Sequence, residues 1–386
     1  MSKLFEPFSL RGVEFRNRLA LSPMCQYEAK DGLVTPFHGV HYGKFALGGF
    51  GLVMVEAAAV SPEGRITHGD IGLWHGAHVE GLAAIAAFIK RQGAVPGIQI
   101  AHAGPKASMQ RPYDGDGPLT PADGVSGDVP WPVVSASAVP VDEDWQIPHE
   151  LDASGIATVR ADFAAAARRA LKAGFDVLEL HCAHGFLLNS FLSQLTNLRT
   201  DEYGGDLEGR MRLPLEIARE LRAIWPAGKP LFVRVSAVDG SRDGVSIEDS
   251  VLFAKELAGI GVDVIDCSSG GIGGPYEYPN GYGYQVPYAE RIKRDAEIHT
   301  MAVGLIVDPI QAERIVASGQ ADFVAIGREA LLEPHFAYRA QRVLEATDLD
   351  SSFNGWPRQY GWWLNGREKR LRLLGPWAPS TGDVGQ

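Results

Sequence analysis

The sequence predicts a single closed (β/α)8 barrel, and three observations carry that prediction. Eight short, nearly continuous apolar runs recur along the chain, segments with helical periodicity separate them, and polar residues gather where the runs end. Strands that are apolar throughout belong to a parallel sheet covered on its outer face, and eight of them alternating with helices close on themselves. At 386 residues and 45% hydrophobic, the chain can bury a core of that size.

Taken in order, the first run, 17–25, ends in Ser22-Pro23-Met24-Cys25, with Tyr27 just beyond. The second, 51–57, ends at Ala57, and the third, 96–102, carries Gln99. The fourth, 175–181, runs out into His181 and His184, and the fifth, 231–236, holds Arg234. The sixth, 262–268, ends in Ser268 and Ser269, the seventh, 301–304, in Gly304, and the eighth, 322–327, in Gly327 with Arg328 beyond. Helical periodicity fills 82–92, 156–173, 210–224, 247–259 and 309–318.

Two segments fall outside the repeat. Residues 104–152 follow the third strand and are rich in Pro, Gly and Asp. A connection that long reads as an excursion or lid over the active face, with Lys106, Trp131 and Trp145 as candidate contacts; a disordered insertion is the alternative. The tail gathers Trp356, Tyr360, Trp362 and Trp363 around Arg358. Such aromatic density suggests docking onto the body or onto another subunit. The expected organisation is a barrel, 1–345, that includes the excursion, and a tail, 346–386, forming a subunit contact.

Composition excludes several classes. A net charge of -11 argues against nucleic acid or an anionic membrane as the main partner, because both reward basic patches. No apolar run is long enough to span a bilayer, and the first residues lack a signal peptide's hydrophobic region. Cys25, Cys182 and Cys267 form no CxxC pair and are odd in number, which points to reduced thiols in a cytoplasm rather than a disulfide framework or zinc site.

In this fold the catalytic groups sit at the carboxyl ends of strands. Two imidazoles three residues apart can donate to one oxygen, bind a metal, or satisfy themselves in a core. Gln99 alone could be a satisfied amide, Arg234 an ion-pair partner and Cys25 a small hydrophobe; jointly they read as a site. The glycines after strands seven and eight, with Arg328, suit a phosphate held by backbone N–H groups. An arginine and an amide on nearby strand ends suit an electron-rich ring that gains negative charge on reduction. A phosphate plus such a ring describes FMN. No GxGxxG follows a strand and opens a helix, so a Rossmann site for tightly held NAD is not expected, and Gly271-Ile272-Gly273-Gly274 reads as turn chemistry.

These residues lie in stretches that resemble one family. Ser22-Pro23-Met24-Cys25-Gln26-Tyr27, Val55-Glu56-Ala57, Gly97 to Gly104, Gly174-Phe175-Asp176, His181-Cys182-Ala183-His184-Gly185, Arg199 to Gly205, Phe232 to Ser236 and Ile326-Gly327-Arg328-Glu329 together resemble the Old Yellow Enzyme family of FMN-dependent ene-reductases. Within it they are similar to the bacterial branch of xenobiotic reductases and thermophilic-like enzymes. The resemblance implies that Ser22, Pro23, Met24, Cys25, Ala57, Gln99, Arg234, Gly327 and Arg328 hold non-covalent FMN, with Ser269 and Gly304 as further strand-end contacts. It implies that the Cys25 thiol tunes the ring, that His181 and His184 bind the carbonyl oxygen of an enone, and that Tyr27 borders the substrate. The implied reaction is ping-pong: NADPH or NADH reduces the flavin, and flavin N5 passes hydride to the β-carbon of an activated alkene. Two donors aimed at the carbonyl act as an oxyanion hole does, each worth about 3 kcal/mol in related chemistry.

One residue departs from the pattern. Two residues after the second histidine the branch usually carries a tyrosine thought to protonate the substrate; here it is Phe186, which has no proton to give. Tyr27, a water or another loop residue then supplies it, or the enzyme favours nitro compounds, nitrate esters or quinones. In the same branch a C-terminal aromatic or arginine can enter a neighbour's site, which makes Arg358 a candidate substrate contact and a homodimer or homotetramer the expected assembly. Three rivals stand beside this reading. A metal-dependent barrel hydrolase would use the two histidines as ligands, a flavin carrier would not turn over, and an FMN barrel acting on tRNA would favour a basic face.

Overall fold

Eight parallel strands close into one barrel in chain order, β1 (Leu19–Leu21), β2 (Leu52–Ala59), β3 (Val95–Ala101), β4 (Val177–Cys182), β5 (Leu231–Ser236), β6 (Val264–Ser268), β7 (His299–Ala302) and β8 (Phe323–Ile326). Closure is made by β8 against β1, with Val324 opposite Leu19 and Ile326 opposite Leu21. This computed structural model describes residues 2–274, 280–345, 353–374 and 377. The two ends of the expected tail, 346–352 and nearly all of 375–386, and part of the loop after β6 lie outside the described residues.

Helices α1 (Pro36–Leu47), α2 (His78–Arg91), α3 (Ala153–Lys172), α4 (Leu187–Leu192), α5 (Leu207–Ile224), α6 (Ile247–Ile260), α7 (Val286–Ala296) and α8 (Pro309–Ala317) accompany them, and α9 (Arg328–Leu332), α10 (Phe336–Leu344) and α11 (Arg358–Leu374) are the last helices among the described residues. Helices α3 and α5 start a turn before their apolar periodicity. Asp152 accepts from the Gly155 N–H and Asp206 from the Gly209 N–H, so each carboxylate caps a first turn that apolar spacing alone does not mark. Strand β6 starts two residues later than expected, because Asp263 accepts the Leu231 N–H (2.9 Å) and pairs with Arg11 and Arg222. Strand β7 stops earlier: the chain leaves the sheet at Val303, and Gly304 takes φ +117°.

The barrel interior is layered. At its amino-terminal end an antiparallel pair, Phe8–Leu10 with Val13–Phe15, packs on Leu52, Met54, Phe232, Met301 and Phe323. Phe323 makes edge contacts with Phe8 and Phe15, at centroid distances of 5.2 and 5.0 Å. Nearer the carboxyl end the buried residues turn polar, with Gln99, Glu179, Arg234 and Asp266.

The excursion is ordered by short turns at Gly104–Lys106, Pro112–Asp114 and Asp123–Ser126 and by a bridge of Val134–Ser135 to His149–Glu150. It covers the mouth. Ala107 and Val133 join Ile66 and Ala103 in a small apolar cluster against which Cys25, Tyr27, Met109, Trp131 and Phe186 pack. The Trp131 indole N–H donates to Glu63 O (3.0 Å), and Arg65 lies over its ring. Trp145 is half-buried and outside this cluster.

The start of the tail packs within its own chain. Trp356 stacks on Tyr338 and His335, at 4.6 and 5.4 Å. Tyr338 borders Gly49, just before β2, so this contact sits toward the amino-terminal end of the barrel. Arg358 is exposed there, away from its own barrel's carboxyl end.

Candidate active site

The His181–Gly185 segment is a tight turn with its backbone groups held. His184 takes φ +62° and Gly185 φ +74°, a left-handed conformation costly for histidine and free for glycine. The His184 N–H donates to Ser236 Oγ (2.9 Å) and the Gly185 N–H to Asn189 Oδ1 (2.8 Å). A side chain on Gly271 would press on His184 Cα, at 2.6 Å, which is why a glycine faces this turn.

Both imidazoles are neutral at neutral pH. Burial pushes their pKa values far down, and the charges of Arg234 and Lys106 add to the effect. The Ala183 N–H donates to His181 Nδ1 (3.1 Å), which leaves the ring proton on Nε2. That nitrogen stands 3.3 Å from His184 Nδ1, and His184 Nε2 stands 2.7 Å from Ser268 Oγ. This refines the expected clamp. The two ring protons run in series toward Ser268, so both reach one substrate oxygen only when His184 turns from the serine.

Beneath the histidines lies the polar layer. The Gln99 amide donates to Glu179 Oε1 (2.8 Å), and Arg234 donates to Ser22 Oγ (3.2 Å) while lying 3.3 Å from Asp266 Oδ2. Burial raises both carboxyl pKa values, and the neighbouring Asp266 helps raise Glu179 to about 8. Arg234 Nε, Glu179 Oε2 and Asp266 Oδ1 are buried with no hydrogen-bond partner. A buried guanidinium N–H without an acceptor calls for one.

Beside this layer opens a cavity of about 490 Å³, lined by Ser22, Pro23, Met24, Arg234, Ser268, Gly304, Gly327 and Arg328 among others. The residue set fits FMN: Arg328 and backbone N–H groups at the β7 and β8 ends for phosphate, and the orphaned Arg234 guanidinium for the electron-rich ring. The structure adds Tyr284, Gln285, Leu305 and Glu329 to the lining. Gln285 is fixed by Ser269, whose hydroxyl donates to it (2.7 Å), and by its own bond to Val303 O (3.2 Å). Ser269 therefore stands behind the wall, and Ser268 lines it.

On the other side, the backbone after Cys25 is clasped by Glu56. Its Oε2 accepts the Gln26 N–H (2.7 Å) and its Oε1 the Tyr42 hydroxyl (2.7 Å). Glu56 lies where β2 shifts register between Val55 and Ala58, next to Ala57, which is buried. Tyr27 takes φ +58°, and its carbonyl crowds Gly69 closely enough to exclude a side chain there. Burial and the Glu56 and Asp70 charges raise the Cys25 pKa, so the thiol stays protonated. Phe186 packs on His181 at 4.7 Å. Cys25, Tyr27, His181, His184 and Phe186 thus share one mouth, and Arg358 of the same chain is not among them. Among the described residues no three His, Cys, Asp or Glu side chains converge as a metal-ligand set.

Comparison with known proteins agrees with the fold. The profile of the NADH:flavin oxidoreductase / NADH oxidase family matches residues 3–347. The chain is 43% identical over 366 residues to an NADPH dehydrogenase of Bacillus subtilis (strain 168), covering 93% of this chain and 99% of that one. It is 45% identical over 344 residues to an NADPH dehydrogenase of Bacillus licheniformis, covering 89% and 95%. Among solved structures, morphinone reductase superposes with a TM-score of 0.72 at 25% identity, covering 90% of each chain. A 2-naphthoyl-CoA reductase complex shares the fold, with a TM-score of 0.79 at 22% identity over 90% of this chain and 53% of that one. The chain belongs to the NADH:flavin oxidoreductase / NADH oxidase family, and is an FMN-dependent oxidoreductase of the Old Yellow Enzyme group.

Proposed function

We propose that this enzyme reduces the C=C bond of alkenes activated by a carbonyl or nitro group, with NADPH as hydride donor. The observation that carries the reading is the neutral His181–His184 pair set over Arg234 and beside the FMN-sized cavity. The printed activity of the Bacillus relatives, NADPH dehydrogenase, supports the donor. When bound, FMN would supply two-electron hydride chemistry between the nicotinamide and the β-carbon of the alkene. The protein's part is placement and charge. Arg234, Gln99 and Ser22 hold the ring's polar edge, and glycines at the β7 and β8 ends with Arg328 hold the phosphate. His181 and His184 donate to the substrate's oxygen as negative charge grows on it. The protonated Cys25 thiol lies at the mouth without acting as a nucleophile, since only the thiolate attacks. Tyr27 and Phe186 border the alkene, and the excursion excludes water.

A second reading is favoured by Phe186 itself. Nitro, nitrate ester and quinone substrates need no placed carbon acid, so on this reading they are the main substrates in place of enones. One anaerobic experiment separates the readings: reduce the flavin with NADPH, then add cyclohexenone or a nitrate ester. Recolouring by the enone supports the first, and recolouring by the ester alone the second. A colourless, chelator-sensitive protein would overturn both in favour of a metal hydrolase.

The same proposal places the enzyme in a reducing cytoplasm, supported by its three unpaired cysteines, and among homo-oligomers. Trp362 and Trp363 are 68% and 71% exposed on α11, which supports a subunit contact through the tail, with Arg358 reaching a partner's substrate.

A further inference from the structure

We propose that Lys106 is the acid that protonates the substrate's α-carbon, the role for which Phe186 has no proton. The inference rests on the alkene-reductase reading above.

The position of Lys106 follows from two close backbone approaches. It ends the turn Gly104–Lys106 that follows β3, and Gly104 at φ +61° presses that turn onto Leu187, the residue after Phe186. From there the side chain crosses Gly185, whose missing Cβ would lie 3.0 Å from Lys106 Cε. The ammonium donates to Gly271 O, and Gly271 in turn abuts His184 Cα. Lys106 thus spans the histidine turn at the residue between His184 and Phe186. An ammonium has three protons, and the bond to Gly271 uses one.

Electrostatics select this group over the alternative. Burial lowers the Lys106 pKa to about 8, the Asp116 charge opposes that shift, and the titratable groups facing it are His181 and His184, both neutral. A group in that range is protonated at neutral pH and releases its proton readily. Tyr27, the other candidate, is pushed far above the ordinary phenol range, by burial first and then by Cys25, Asp70, Glu56 and Asp116. It is the weaker acid by a wide margin.

The step balances. Hydride from reduced FMN forms the β-carbon C–H bond and oxidises the flavin by two electrons, while the π pair of the C=C bond becomes an enolate whose oxygen is held by the histidines. The Lys106 N–H bond then breaks as the α-carbon C–H bond forms, and the neutral amine takes a proton from solvent.

The test uses holoenzyme, NADPH and 2-methylcyclohexenone in deuterated water, reading the configuration at the α-carbon and, by stopped flow, the reoxidation of the flavin. Wild type is expected to deliver deuterium to one face. Lys106→Arg keeps the charge but holds its proton too tightly to give it. It is expected to give both α-configurations in whatever product it forms, because the placed proton is missing after hydride transfer. Lys106→Met should scramble the α-carbon likewise, and Tyr27→Phe should leave one face labelled. A single α-configuration in both lysine variants overturns the assignment, as does scrambling by Tyr27→Phe alone. Wild-type flavin that no enone reoxidises overturns the alkene-reductase reading and this inference with it. Amine acetylation of intact holoenzyme against pH, read at Lys106 by mass spectrometry, is independent of turnover. A midpoint near the value of about 8 supports the role, and one in the range of a solvated lysine, about 10.4, overturns it.

Discussion

The two ends of this barrel are made from the same eight strands and solve opposite problems. At the amino-terminal end Phe15, Phe232 and Phe323 fill the interior among apolar neighbours, and half-buried Phe8 closes them off under Arg18. At the carboxyl end Tyr27 and His184 hold left-handed backbone, and Arg234, Glu179 and Asp266 keep buried polar atoms unpaired. Strain and unpaired charge persist only where the surrounding structure over-determines them. The closed end is what holds the open end in a shape that it would not choose alone. If so, substitutions at the plug should cost stability and little chemistry, and those at the mouth the reverse.

The largest effect is expected where the two regions meet. Arg234→Met removes the cation from between Asp266 and Ser22 and leaves a buried carboxyl without its partner. Breaking a buried pair in this way costs about 3–5 kcal/mol. The purified variant should be colourless, and flavin absorbance after gel filtration checks it. A variant that stays yellow would move the flavin's polar edge away from β5.

Next is the plug. Phe323→Ala empties a site bounded by Phe8, Phe15 and Phe232, and a buried Phe→Ala change costs about 3–5 kcal/mol. Urea unfolding should show that loss, while the variant's turnover per bound flavin at 25 °C should stay within about twofold of wild type. A proportional fall in turnover would mean that the ends are not separable.

Glu56 tests the mouth through pH. Its carboxyl is raised from the ordinary 4.5 to about 8, by burial above all and against its bonds from Gln26 and Tyr42. The folded state therefore binds a proton that the unfolded state has released. Its contribution is fully present below about 4.5 and is lost as pH rises toward 8, at up to about 1.4 kcal/mol per unit. Glu56→Gln keeps the shape without the titration. The fall in unfolding free energy between about pH 5 and pH 8 should shrink by at least about 1 kcal/mol in the variant. An unchanged slope would assign the pH dependence to the other buried carboxyls with raised pKa values, Asp70, Glu179 and Asp266 among them.

The same contrast decides how much the sequence could show. The strand ends were legible because an apolar run that stops at His181, Arg234 or Gly327 marks both the edge of the sheet and the start of the chemistry. Glu56 and Glu179 left the same signal in reverse, as single carboxylates inside apolar strands, but nothing local says which buried group they serve. Gln285 left none: it stands in the loop before α7 and reaches the cavity only because Ser269 and Val303 hold its amide. The helix starts at Ala153 and Leu207 were hidden for a different reason, since an aspartate cap recruits a polar first turn that periodicity does not count. Lys106 was visible as a lid residue, yet its approach to Gly271 depends on three glycine contacts far apart in the chain.

The smallest effect is expected from Phe186→Tyr, the change that restores the residue usual in the branch. The ring sits among Ile66, Ala103, Ala107 and Val133, so a new hydroxyl must find water or substrate or pay about 1–3 kcal/mol for its burial. At the mouth, with substrate beside it, the lower end of that range applies. If Lys106 already protonates the α-carbon, a second acid adds little, and turnover of an enone should rise less than about threefold, against the 10²–10⁴-fold typical of adding a missing general acid. In Lys106→Met the same tyrosine should do more, restoring a single α-configuration, because it then supplies the only placed proton. A large gain in the wild-type background would show instead that the mouth lacks an acid, and that Phe186 had left protonation to water.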